Sequence, residues 1–260
     1  MHCALSIAGS DPTGGAGLQA DLQVFHALGV HGAAVPSALT IQDGLRVQRV
    51  LPVFPNVLLE TLRATLQAIQ PSAIKIGMLA TDDVVRNVSL ALATAPNLPI
   101  VIDPVLAASD GTALLEKRAY PALRALIHGR TLLTPNWPEA EILANRSLAR
   151  RRDAEQAAHE LLSDLHLDGV LLKGGHRESD SDDLLVLRGT GEIRSEWLGG
   201  ERLPGASVHG TGCALSAAIA AGLARGDALR DAVVGARSFV RSAIENAHQL
   251  ENGARILAFT

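Results

Sequence analysis

The sequence predicts an α/β protein with a mostly parallel central sheet and helices on both faces. Short apolar, β-branched runs alternate with stretches of helical periodicity along the whole chain. Strands that read as continuous apolar runs belong to sheets covered on both sides. Asp103, Asn136, Glu139, Lys173 and the 210–213 loop each follow an expected strand, and open parallel sheets bind ligands beyond the carboxyl ends of their strands. The length of 260 residues fits one large α/β domain or two small ones. With no internal repeat and no Pro- or Ser-rich linker, the chain is read as a single domain, 1–260.

Taken in order, residues 3–8 form the first expected strand, broken by Gly9-Ser10-Asp11-Pro12-Thr13-Gly14-Gly15, which is loop chemistry. A helix follows over 16–28 and stops at Gly29. At about 100° per residue its apolar face carries Leu18, Leu22, Phe25 and Leu28. Asp21 lies amid that face, although burying an unpaired charge costs several kcal/mol (~). It is either a satisfied structural acceptor or a carboxylate facing an interior pocket. Residues 31–42 are strand-like, and the polar–apolar alternation of 46–53 makes an edge strand. Residues 55–69 are a helix, 73–77 a buried strand, and 82–93 a helix with Thr81 as N-cap. A strand over 99–103 ends in a carboxylate, and 114–127 reads as a helix. Strand 131–135 leads into helix 137–144; helix 153–165 and strand 169–173 follow, with the arginine run 150–152 read as a solvated stretch. Residues 183–187 and 192–197 form a hairpin around Gly189-Thr190-Gly191, and helices 211–224 and 229–250 close the chain.

Apolar residues make up 47% and charged residues 19%, so a sizeable core is available and disorder is excluded. A net charge of -4 gives no reason to expect nucleic acid or an anionic membrane. Cys3 and Cys213 are not a disulfide framework. No basic region precedes an apolar core at the start, and no apolar run approaches the ~20 residues of a membrane span. A cytoplasmic protein is expected.

The most informative stretch is His209-Gly210-Thr211-Gly212-Cys213 before a run of small helix-forming residues. Glycines permit a tight turn, and a helix N-terminus offers unpaired N–H groups and a positive dipole end, which together hold an anion. The same field is expected to lower the Cys213 thiol pKa. The plainer alternative is a helix start with Cys213 as a small buried hydrophobe. Asn136-Trp137-Pro138-Glu139 can hold hydrated Mg²⁺ beside phosphates, or is simply an N-cap with its capping-box partner. Lys173 before two glycines offers a cation near phosphates, or an ordinary turn. Gly15-Ala16-Gly17-Leu18-Gln19-Ala20 fits a dinucleotide fingerprint, but Gly9 to Gly14 separate it from the strand. A Walker loop fails because Gly15 stands where lysine is required. No G-x-S-x-G, H-E-x-x-H or paired C-x-x-C is present, and His176 and His209 read as polar loop residues rather than metal ligands.

Together these segments resemble a known family. Ser6-Ile-Ala-Gly-Ser-Asp-Pro-Thr-Gly-Gly-Ala-Gly-Leu-Gln-Ala-Asp21, Ala38-Leu-Thr-Ile-Gln42, Lys75-Ile-Gly-Met78, Asp103-Pro-Val105, Thr134-Pro-Asn-Trp-Pro-Glu-Ala140, Leu172-Lys-Gly-Gly-His176 and His209-Gly-Thr-Gly-Cys213 occur in the family's order. The family is the hydroxymethylpyrimidine/phosphomethylpyrimidine kinases of thiamine biosynthesis, within the ribokinase-like superfamily. The resemblance implies a ribokinase-like fold and ATP- and Mg²⁺-dependent phosphorylation of 4-amino-5-hydroxymethyl-2-methylpyrimidine and then of its monophosphate. It implies that Gly9, Asp21 and Gln42 bond the pyrimidine while Met78 and Val105 pack on it. Asn136 and Glu139, with Asp103, would organise Mg²⁺, and Lys173 would contact nucleotide phosphates. Gly210, Thr211, Gly212 and Cys213 would form the anion hole, with Cys213 as the base. Relatives are commonly dimers, which points to residues 46–53 as the edge of a homodimer. The chain departs from the family's pattern at 107–111, which lack a lysine, at Ser207-Val208, and at Asp43. Pyridoxal or pyridoxine phosphorylation is the enzymatic alternative, and a non-catalytic pyrimidine sensor the other.

Overall fold

The computed structural model describes residues 1–174, 182–200, 203 and 208–259. Gly175, His176 and Ser207, named above, lie outside the described residues. The chain divides into two compact units, Met1–Leu126 with Gly205–Thr260, and Ile127–Pro204.

In the first unit, β1 (Cys3–Ser10) leads through the glycine-rich loop into α1 (Gly17–Ala27). Then come β2 (His31–Gln42), β3 (Val47–Pro52), α2 (Pro55–Ile69), β4 (Ala73–Ile76), α3 (Asp82–Leu92) and β5 (Ile100–Ile102). A 3-10 turn over Lys117–Ala119 enters α4 (Tyr120–Ile127). The second unit holds β6 (Leu132–Leu133), α5 (Trp137–Ala144), α6 (Arg151–Asp164), β7 (Gly169–Leu172), β8 (Asp183–Arg188) and β9 (Ile193–Leu198). The chain returns to the first unit with α7 (Thr211–Arg225), α8 (Leu229–Glu245), β10 (His248–Gln249) and β11 (Arg255–Ile256).

Strands of the first unit run in the order β3-β2-β1-β4-β5. β1 pairs in parallel with β2 and β4, and β4 with β5, whereas β3 is the antiparallel edge. Strand order reverses between β1 and β4, so the carboxyl ends of these two strands form the crevice where such sheets receive a ligand. α1 packs on β1 and β2, and α7 packs on α1, α8 and β4. In the second unit β6 and β7 are parallel, and β7, β8 and β9 continue as an antiparallel meander.

Most expected elements stand within two residues of their expected ends. Thr81 caps α3, its hydroxyl accepting from the Val84 N–H. Three expectations are corrected. The helix expected over 114–127 begins only at Tyr120, because the Leu114 and Leu115 N–H groups both bond the Leu106 carbonyl and Glu116 stays extended, donating to the Ala80 carbonyl. The helix expected to reach 250 ends at Glu245, and 246–256 instead fold back as a small hairpin turning at Gly253, where φ is +88°. Arg151 and Arg152 are exposed, as expected, but they open α6 rather than precede it; Arg151 pairs with Asp182 and sits 4.4 Å over the Trp197 ring.

The position of α7 depends on close approach to α8. A Cβ on Gly222 would stand 2.9 Å from the Ala232 Cβ. Gly222→Val should therefore destabilise the protein by about 1–3 kcal/mol through overpacking, read as a lower urea midpoint.

Candidate active site

The loop between β1 and α1 is held by one carboxylate. Asp11 is buried; its Oδ1 accepts from the Thr13 N–H at 2.9 Å and the Thr13 hydroxyl at 2.8 Å, and its Oδ2 accepts from the Ala16 N–H at 2.9 Å. The fourth partner comes from the far end of the chain: His209 Nε2, assigned here as the protonated nitrogen, donates to Asp11 Oδ2 at 2.9 Å. Burial alone would raise the Asp11 pKa, but the His209 and Thr13 hydrogen bonds hold it below the ordinary carboxylate range. Gln19 completes the loop, accepting from the Asp11 N–H and donating to Ser10 Oγ.

Beneath this loop lies a buried charge pair. Asp21 of α1 and Lys75 of β4 are both 0% exposed and meet at 2.7 Å, with the Ser6 hydroxyl of β1 on the same carboxylate oxygen. The structural-acceptor reading of Asp21 is met by its Oδ2, while its buried Oδ1 has no partner among the described residues. Burial raises the Asp21 pKa more than Lys75 and Ser6 lower it. Lys75, in turn, stays charged: burial would lower its pKa, yet Asp21, Cys213 and Asp103 together raise it. Sequence reasoning quoted Lys75 within a motif and gave it no role. The available signal was a lysine inside a four-residue strand that is otherwise apolar.

The N-terminus of α7 stands over this pair. Gly210 takes φ +85° as the N-cap residue and offers no side-chain cap, so the following N–H groups are left to an anion. A Cβ on Gly210 would strike the Gly15 carbonyl, which is why this turn and the 9–17 loop can touch. Cys213, in the first turn of this helix, is half-buried. The expected depression of its thiol pKa is corrected. Burial pushes the thiol up, Lys75 draws it down, and Asp103 and Asp21 push it up again. Desolvation is the largest of these influences.

A small apolar cluster lines the crevice: Met78, Ala38 and Ala80, with Val50, Val105 and Leu114 packed against them. A Cβ on Gly9 would lie 2.7 Å from Met78 Sδ, and Val105 packs against the Met78 cluster, so the fold brings Gly9, Met78 and Val105 together. Gln42 reaches the loop through Thr40: its Nε2 donates to the Thr40 hydroxyl at 2.7 Å, and that hydroxyl donates to the Ser10 carbonyl at 2.8 Å. Asp103 ends β5 as a buried carboxylate, its N–H on the Ile76 carbonyl and its Oδ2 facing the Ser216 hydroxyl at 3.5 Å.

In the second unit, Asn136 and Glu139 form the capping box of α5: Asn136 Oδ1 accepts from the Glu139 N–H, and Glu139 Oε2 from the Asn136 N–H, both at 2.8 Å. Lys173 lies beside Asn136 through a parallel bridge, its N–H on the Pro135 carbonyl at 2.8 Å. Asp103, in the first unit, and Glu139, in the second, are each carboxylates of the kind that Mg²⁺ accepts. No group of three or more His, Cys, Asp or Glu able to hold a metal occurs among the described residues. Mg²⁺ does not require one, since one or two carboxylates with phosphates and water suffice.

A family model described as phosphomethylpyrimidine kinase matches residues 11–258. The hydroxymethylpyrimidine/phosphomethylpyrimidine kinase of Salmonella typhimurium is 38% identical over 255 residues, covering 97% of this chain and 94% of that protein. A crystal structure of phosphomethylpyrimidine kinase from Clostridium difficile aligns at a TM-score of 0.81 and 31% identity, covering 94% of this chain and all of the other (100%). The pyridoxal kinase of Bacillus subtilis, solved as an ADP complex, aligns at 0.88 and 30% identity, covering 100% of this chain and 97% of the other.

Removing the cation of the buried pair leaves an uncompensated carboxylate. Lys75→Met should cost about 3–5 kcal/mol of unfolding free energy by urea titration, and Asp21→Leu added to it should restore most of the loss. A Lys75→Met protein as stable as the wild type would show that Asp21 needs no counter-charge.

Proposed function

The chain belongs to the phosphomethylpyrimidine kinase family and is a kinase, and on that premise we propose that it transfers phosphoryl groups from ATP to 4-amino-5-hydroxymethyl-2-methylpyrimidine and then to its monophosphate. The observation that carries this reading is the uncapped N-terminus of α7 locked by Gly210 against the 9–17 loop. One surface thereby offers donors for a transferring phosphate beside an apolar wall for a ring. The family match runs through both units, which supports treating them as one kinase domain.

Gly9, Met78 and Val105 would flank the pyrimidine, with Gln42 and the unpartnered Oδ1 of Asp21 as acceptors for its ring-edge donors. The N–H groups of Thr211, Gly212 and Cys213 would stabilise charge on the transferring group. A loose phosphoryl-transfer transition state depends mainly on positioning and charge stabilisation. Proton removal is therefore a late and modest demand, consistent with a Cys213 thiol that is mostly protonated at neutral pH. We assign Lys173, Asn136 and Glu139 to the nucleotide side, and Asp103 and Glu139 to Mg²⁺, which when bound neutralises phosphate charge. The ADP in the Bacillus subtilis relative supports ATP as the donor.

That pyridoxal kinase superposes as well as the pyrimidine kinase does, so the fold does not separate the two substrates. Sequence does: several curated relatives at 35–38% identity are pyrimidine kinases. A sensor would have no use for the anion hole. Asp43 organises the β2–β3 turn by accepting from the Leu45 and Arg46 N–H groups.

We read the protein as cytoplasmic, where the free thiols Cys3 and Cys213 would stay reduced. We also read it as a homodimer through the β3 edge. Leu39 and Leu51 face each other there on exposed positions, and Phe54 beside them is 81% exposed.

ADP release with Mg-ATP should occur with both pyrimidines and not with pyridoxal. Cys213→Ala should lower kcat ~10²-fold or more, and Asp21→Asn should chiefly raise the pyrimidine KM. Because the thiol pKa is raised, the wild-type rate should keep climbing with pH beyond the ordinary thiol range, and the Cys213→Ala rate should not. Turnover of pyridoxal alone would transfer the assignment to vitamin B6. Separately, sedimentation velocity should show a dimer that Phe54→Asp converts to monomer; a wild-type monomer would end the dimer reading.

A further inference from the structure

We propose that His209 is a positioning residue that fixes the acceptor-side loop against the anion hole. The inference rests on the phosphoryl-transfer reading above. Asp11 is already satisfied locally by Thr13 and the Ala16 N–H, three hydrogen bonds that shape the loop without help from elsewhere. The fourth, from His209 Nε2, joins it to a residue immediately before Gly210.

The imidazole is itself placed from several sides. The His209 N–H donates to the Arg255 carbonyl of β11 at 2.8 Å, which makes a parallel bridge to Ile256. A Cβ on Gly15 would lie 2.8 Å from the His209 ring and 2.6 Å from the Ile256 side chain. The ring is thus wedged between the loop backbone and the 248–256 hairpin, with its one bonded nitrogen on Asp11. The hairpin accordingly acts as a buttress for a side chain that links two loops. An acceptor held by residues 9–21 and a phosphate held by 210–213 must meet in line, and a shift of about 1 Å between two such groups costs up to ~100-fold in rate. His209 sets that relation without touching either reactant.

The test compares His209→Ala with His209→Gln, whose amide nitrogen can take the place of Nε2 and donate to Asp11 while carrying no charge. Wild-type and variant proteins are assayed for ADP release with the hydroxymethylpyrimidine, and pyrimidine binding is measured by calorimetry without nucleotide. His209→Ala should lose ~10–100-fold in kcat and keep its pyrimidine Kd within about threefold, because the acceptor contacts lie on its own side of the link. His209→Gln should recover most of the rate. Amide hydrogen exchange should rise in residues 9–17 and 208–214 of the Ala variant alone. Unchanged kcat in His209→Ala would overturn the proposal, as would a Gln variant as slow as the Ala variant, which would point to imidazole charge. A wild type that turns over neither pyrimidine but does turn over pyridoxal would overturn the pyrimidine reading and leave this test intact with pyridoxal as acceptor. A wild type inactive on all three would overturn both.

Discussion

A lysine and an aspartate shut off from bulk solvent constrain the centre of this protein. The ammonium of Lys75 and the carboxylate of Asp21 are affordable in the interior only together, since either alone would be a buried charge without compensation. Their contact therefore fixes how α1 lies on β4, and the Ser6 hydroxyl adds β1 to the same arrangement. These are the two strands at which the sheet order reverses. The pair is thus a stability constraint at the floor of the ligand crevice, and its field reaches Cys213 and Asp103.

Much of this was legible in the sequence, and the parts that were not share a cause. Strand–helix alternation gave the parallel sheet, and Asp21 was conspicuous because a carboxylate among Leu18, Leu22 and Phe25 violates helical patterning. Its partner went unassigned because a single chain position does not reveal which residue 54 positions away will face it. The late start of α4 and the early end of α8 follow from hydrogen bonds to Leu106, Ala80 and the 248–256 hairpin, which propensity does not register. The direction of the Cys213 pKa is the sharpest example. The sequence places Cys213 at a helix start, whereas its burial, which raises the pKa, depends on tertiary packing.

Asn136 and Glu139 show that the two readings of a motif need not compete. Both side chains serve the capping box, so α5 begins at a fixed place with a carboxylate in its first turn. The same bonds that stabilise the helix hold that carboxylate in one orientation, which a cation-handling group requires in any case. Substrate choice is a different matter. Pyridoxal and pyrimidine kinases share this backbone closely, so the architecture by itself does not set substrate choice.

The contact between Asp11 and His209 joins residues separated by 198 positions. During synthesis the glycine-rich loop emerges among the first twenty residues, yet its fourth hydrogen-bond partner is added only when most of the polypeptide has left the ribosome. Bringing such distant segments together is a slow step in folding, because the chain entropy of closure is lost before the contact forms. A nascent chain can therefore build much of its sheet while remaining catalytically blank. Competence would then arrive late, once the segment carrying His209 has joined the loop.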